Sequence, residues 1–150
     1  MDLRNIVKVG DPVLKKISRS VLNFDDRLHL LLEDMRDTLI DAQGAGLAAP
    51  QVGVLRRVCL VDVQDEDGII ELINPVIVES KGVQNEPEGC LSIPGESGIT
   101  IRPMWVKVKA QDRFGKTFYI EGEGLKARAF CHEIDHLDGI LYKERLIKWE

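Results

Sequence analysis

From Asp25 onward apolar side chains recur every three or four residues, at Leu28, Leu31, Leu32, Met35 and Leu39, with charged residues between them. That period predicts an amphipathic helix with Asp25 as its N-cap and Gly44 as its stop. Beyond Gly44 the pattern changes. Positions 57–63 and 69–78 are β-branched runs separated by the polar Asp65, Glu66, Asp67 and Gly68, which predicts a hairpin. Positions 82–89 are polar and predict a loop leading into Cys90. A second hairpin is expected from 105–112 and 116–121 around Phe114 and Gly115, and a last helix from 125 to 137, ended by Gly139. An N-terminal arm precedes all of this and turns at Gly10, Asp11 and Pro12. The expected fold is a single α+β domain over residues 1–150, with antiparallel β-sheets packed around a C-terminal helix and one long N-terminal helix.

Composition narrows the function classes. A chain of 150 residues that is 44% hydrophobic can close one core and a cleft beside it. Its formal net charge of -5 argues against a broad nucleic-acid-binding surface and against a specific DNA partner, leaving room only for a local basic patch. No apolar run reaches the roughly 20 residues that a membrane helix needs, and the first ten residues lack the apolar stretch of a secretory signal. Three cysteines without an export signal point to a reducing, cytoplasmic setting. Cys59, inside the first β run, reads as a small buried hydrophobe, and His29 as an ordinary surface or half-buried side chain.

The other two histidines carry the chemistry. His132 and His136 stand four apart in the last predicted helix, which places both imidazoles on one face about a turn apart. With Glu133 between them the segment reads HExxH: two metal ligands and a carboxylate placed to take a proton from an activated water. A hydrolytic site needs a third ligand and an open fourth position. Tyr142 stands where one protease class has a third histidine, and Glu144 is too close to the helix to serve as the glutamate of another. Cys131 points about 100° away from His132 and reads as packed. Cys90, in the expected turn Glu88, Gly89, Cys90, Leu91, Ser92, is the thiol free to reach the ion. The small residues from Gly44 to Gln51 read either as a tight turn into the sheet or as a strand edge that a peptide could join.

Three segments together, GAGLAAPQ at 44–51, EGCLS at 88–92 and HEIDH at 132–136, resemble the peptide deformylases in order, spacing and wording. Gly10 to Leu14 (GDPVL), Asn74 with Pro75, and Leu137 to Leu141 fit as well, so the resemblance spans nearly the whole chain. It implies removal of the formyl group from the N-terminal formyl-methionine of new polypeptides, releasing formate. It also implies one divalent metal on Cys90, His132 and His136, with Fe2+ in the cell and Zn2+ or Ni2+ able to replace it. Glu133 would serve as general base and then acid toward a water activated at the metal, and the Gln51 amide and Leu91 N–H as oxyanion donors. Ala45, Gly46, Glu88 and Gly89 would bind the substrate, an N-formylmethionyl nascent peptide.

The sequence departs from the family's pattern at Cys131, where Gln is frequent, and at Pro50. Many bacterial members continue into a C-terminal helix that contacts the ribosome, and this sequence leaves no room for one, so docking by that route is not expected and any ribosome contact would be a transient one. Two rival functions remain at the level of sequence: a zinc endopeptidase of the HExxH type, and a catalytically silent homologue in which metal only braces the fold.

Overall fold

The computed structural model describes residues 3–147. In chain order these form a 3-10 turn (Pro12–Lys15), α1 (Asp26–Ala42), β1 (Gly46–Ala48) and a second 3-10 turn (Ala49–Val52). There follow β2 (Val58–Val61), β3 (Ile70–Lys81), β4 (Gln84–Cys90), β5 (Ile93–Arg102), β6 (Trp105–Gln111), β7 (Thr117–Glu123), α2 (Leu125–Leu137) and a last 3-10 turn (Tyr142–Arg145). The final residues, on which the expectation about a C-terminal docking helix rests, lie outside the described residues.

Five strands make one antiparallel sheet in the order β1-β2-β3-β6-β7, and β4 pairs with β5 in a separate two-stranded sheet. β2 is buried on both faces, which explains its unbroken apolar sequence. Its Cys59 and Val61 face α2, packing with Phe130, Ile134 and Leu137, while Val58 and Leu60 face α1, packing with Leu28, Leu32, Met35 and Leu39. The sheet is therefore held between the two helices at this end, and each fully buried side chain of this size adds roughly 1.5–3 kcal/mol. Toward β6 the period of two returns, with Val106, Val108 and Ala110 inward and Lys109 outward.

The long α1 begins as the sequence predicts, with the Asp25 carboxylate accepting from the Leu28 N–H at 3.1 Å. It ends one residue earlier than expected. Gln43, not Gly44, takes the left-handed conformation, with φ 54° and ψ 39°. Gly44 meets a different need: a Cβ there would lie 2.8 Å from Leu91 Cδ1, so its small size lets the β4–β5 turn approach. The first hairpin's strands are 58–61 and 70–81 where the sequence suggests 57–63 and 69–78.

The largest departure is at 82–89. The expected polar loop is strand β4, running from Gln84 to Cys90 and registered on β5. Its inward residues are Gln84 and Glu88, both buried, so the strand alternates polar with polar and carries no hydrophobic period. Cys90 consequently closes a strand, immediately before a tight turn at Leu91 and Ser92. At that point one step along β4, from Gly89 to Cys90, is answered by four along β5, from Ser97 to Ile93. The three extra residues, Pro94, Gly95 and Glu96, bulge out beside the turn. A small core of Leu14, Ile93, Leu141 and Tyr142, with Cys90 against it, fixes this end of the hairpin to the rest of the chain.

Candidate metal centre

α2 presents Arg128, His132 and His136 at four-residue intervals, hence on one face, and all three are buried. The turn after β4 brings Cys90 to that face. His136 Nε2 lies 3.2 Å from His132 Nε2 and 3.3 Å from Cys90 Sγ, and the three donor atoms all fall within 4.8 Å of one another. The residues expected to gather around one ion are thus brought together.

Whether these donors fit a cation is decided by where their lone pairs point. His132 Nδ1 lies 2.7 Å from Glu88 Oε2. Glu88 has no proton to give: burial works to raise its pKa, but hydrogen bonds from His132 and Arg102 outweigh burial and hold the carboxyl well below its usual range. Nδ1 is therefore the donor, and in the neutral ring that a metal ligand requires Nε2 turns a lone pair toward His136 and Cys90. Metal–nitrogen bonds of about 2.0–2.1 Å in a tetrahedral site put two ligand nitrogens about 3.3 Å apart, close to the separation found. Two imidazole lone pairs and a sulfur facing one point fit a divalent cation.

Glu88 is the hub of this arrangement. Besides His132, its oxygens accept from Arg102 Nη2 at 2.6 Å, Arg102 Nε at 3.1 Å, Arg128 Nη1 at 2.8 Å and Thr100 Oγ1 at 2.9 Å. Arg102 reaches on to Asp135 at 2.6 Å. Every direction open to the Glu88 carboxylate is already taken, so the side chain orients His132, while the residue also lines the cleft beside Gly89, where a substrate contact is expected of it. Nothing in the sequence pattern marks Thr100 or Arg102 as parts of this site. Arg128 was legible in principle, because a charged residue four before His132 must share its face. Replacing Glu88 with Gln puts an amide N–H against these donors. Metal affinity is expected to fall about 10–100-fold in a competition titration, with a lower melting temperature, and unchanged affinity would contradict the orienting role.

Glu133 lies on the neighbouring side of α2, with Oε2 3.9 Å from His132 Nε2. Its carboxyl is pressed against β1, where a Cβ on Gly46 would collide with it, so only glycine lets the strand pass this close. Burial raises its pKa to about 7, with His132 pulling the other way. Glu133 Oε1 is buried and has no hydrogen-bond partner among the described residues. Gln51 is held at both ends of its amide: Oε1 accepts from the Ala48 N–H at 2.9 Å, and Nε2 donates to Ser92 Oγ at 3.1 Å and faces Cys90 Sγ at 3.6 Å.

These groups open on one cavity of ≈ 420 Å³, which Ala45, Gly46, Gly89 and Leu91 also line, with Leu125 and Ala129 from α2. β1 is an edge of its sheet, paired only with β2; since the Ala48 N–H is taken by Gln51, the edge left for an added strand is at Gly46. The remaining candidates lie elsewhere. Tyr142 is buried and stacks on His132, with centroids 6.2 Å apart, as a wall and not a ligand. Cys59 and Cys131 are buried, burial raising Cys131 to about 11 and Cys59 well above its ordinary value. Half-buried His29 places Nε2 2.8 Å from the Arg113 carbonyl oxygen.

The comparison with known proteins decides among the hydrolases that such a centre could serve. The family model for polypeptide deformylase matches residues 3–150. The chain belongs to the polypeptide deformylase family. It is 55% identical to the peptide deformylase of Lachnoclostridium phytofermentans, covering 97% of this chain and 90% of that one. To the peptide deformylase of Alkaliphilus metalliredigens it is 53% identical over 99% of both chains. Among solved structures, the Thermotoga maritima peptide deformylase superposes with a TM-score of 0.95 at 39% identity, covering 99% of this chain and all of the other. The Legionella pneumophila enzyme gives 0.94 at 46%, covering 97% and 87%. Membership in the family implies an enzyme with a single catalytic metal and sets aside the endopeptidase reading. No helix among the described residues is long and apolar enough to cross a membrane.

Proposed function

We propose that this chain removes the formyl group from the N-terminal formyl-methionine of nascent polypeptides in the cytoplasm, releasing formate, and that residues 1–150 act as one catalytic unit. The observation that carries the residue assignment is the convergence of Cys90 Sγ, His132 Nε2 and His136 Nε2 beside an unpartnered Glu133 oxygen. Imidazole and thiolate donors suit ferrous iron, zinc and nickel alike. Fe2+ is the ion we assign in the cell. A divalent ion held there supplies Lewis acidity, acidifying a water and polarising the formyl carbonyl.

The chain's own groups do the rest. Glu133 takes the proton of the attacking water on its carboxylate and returns it to the departing amine; a carboxyl raised by burial is suited to both steps near neutral pH. The Gln51 amide N–H that faces Cys90 Sγ at 3.6 Å, and the backbone N–H of Leu91, are the oxyanion donors. Because Gln51 is fixed by Ala48 and Ser92, its amide does not have to be ordered at the moment of reaction. The open side of β1, at Gly46 and the adjoining Ala45, and Gly89 on β4, pair with the substrate backbone as an added strand. The apolar wall of Leu91, Leu125 and Ala129 receives the methionine side chain.

Metal-loaded protein is expected to release formate stoichiometrically from a formyl-Met peptide while leaving every internal peptide bond intact, as read by formate assay and mass spectrometry of the product. Cleavage within the peptide, or no formate from protein carrying a full complement of metal, would overturn the assignment.

A further inference from the structure

The sequence contains ten arginines. Seven of them, Arg4, Arg36, Arg57, Arg102, Arg113, Arg128 and Arg145, meet a carboxylate. The other three, Arg19, Arg27 and Arg56, form no ion pair among the described residues, and all three line one cavity of ≈ 590 Å³ that shares no residue with the metal cleft. In a chain of net charge -5 this cavity gathers three arginines against a single acidic lining residue, Asp25.

Local structure holds them there. Arg19 and Arg56 are neighbours in a parallel β-bridge, with the Arg19 N–H donating to the Leu55 carbonyl at 3.1 Å and the Arg57 N–H to the Arg19 carbonyl at 2.9 Å. Arg27 comes from the first turn of α1. The acidic residue lining the cavity is Asp25, whose carboxylate is engaged in capping α1. Three arginines that line one concavity without a carboxylate partner among the described residues make it a place where an anion is favoured. The guanidinium fork matches phosphate oxygens in pairs, which favours phosphate among the available anions.

We propose that this cavity binds phosphate groups of a single-stranded RNA backbone. Its volume exceeds what one free phosphate fills, and Leu22, 84% exposed at its edge, offers apolar surface for a base beside the charges. The choice of RNA as the phosphate's source rests on the function proposed above, because a nascent peptide is presented by an RNA-built particle; the anion site itself does not depend on it.

The test is fluorescence anisotropy of a labelled polyuridine oligonucleotide with metal-loaded protein, read over a salt series. Three phosphate contacts predict a slope of log affinity against log salt of about -2. The variant Arg19→Ala/Arg27→Ala/Arg56→Ala is expected to lose at least about tenfold in affinity and most of that slope. A control with equal charge loss, Lys107→Ala/Lys109→Ala/Lys116→Ala, keeps both, and formate release from a short formyl-Met peptide stays within twofold in all three proteins. Equal RNA binding by the arginine variant, equal loss by the lysine control, or wild-type protein that binds inorganic phosphate but not the oligonucleotide would each overturn the proposal. Failure of formate release with RNA binding intact would instead count against the catalytic reading alone.

Discussion

Glu133→Gln is expected to lower kcat for formate release by about 10²–10⁴-fold while leaving bound metal and fold in place. The substitution is nearly isosteric and removes only the ability to accept and return a proton. Glu133 Oε1 has no partner to lose, and its neighbour Oε2 approaches the donor cluster no closer than 3.9 Å, so the metal ligands keep their geometry. Burial already disfavours the ionised carboxylate, and a neutral amide at the same place relieves that cost. The melting temperature should therefore hold or rise. Activity, metal content and melting measured on one preparation separate the roles. Retained turnover would refute the proton-carrier assignment, and loss of metal would show a structural role instead.

Cys90→Ala is expected to cost metal affinity by more than about 100-fold, beyond the 10–100-fold attached to a group that merely orients a ligand. Cys131→Ala and Cys59→Ala should keep a full complement. The three thiols differ in position, not in kind. Cys90 sits at the strand end where the β4–β5 bulge turns its sulfur to within 3.3 Å of His136 Nε2. Cys131 follows Phe130 on α2 but faces the core against the sheet, where burial keeps its thiol protonated at about 11. Cys59 lies fully buried on β2 beneath the same helix. Competition titration with a chromophoric chelator reads all three variants. An emptied site in Cys131→Ala would mean that the sulfur has been assigned to the wrong residue.

How far the molecule could be read in advance depended on what kind of signal each part carries. α2 was legible from about 125 to 137, as found, because HExxH fixes its face and Gly139 its end. α1 and the two hairpins on the five-stranded sheet were legible because their inward positions are apolar and repeat with the period of their element. β4 was not, because its inward residues are Gln84 and Glu88, and a strand that buries polar groups leaves no trace in a hydrophobic pattern. The same blindness hid the work of Glu88. Its partners, Arg102 and Arg128, lie 14 and 40 residues away, and an ion pair between distant charges has no local signature. The three candidate metal ligands were legible from chemistry and resemblance, whereas the support that aims His132 toward Cys90 and His136 depends on the β4–β5 hairpin folding against α2.

All of these expectations depend on one sulfur and two nitrogens meeting at a single ion that still has room for water. X-ray absorption at the metal edge of zinc-loaded protein tests this directly. The account predicts one sulfur at about 2.3 Å, two imidazole nitrogens at about 2.0–2.1 Å and a remaining light scatterer from solvent, with the sulfur shell absent in Cys90→Ala. Two sulfurs, no sulfur in the unaltered protein, or a shell filled by protein donors alone would contradict it.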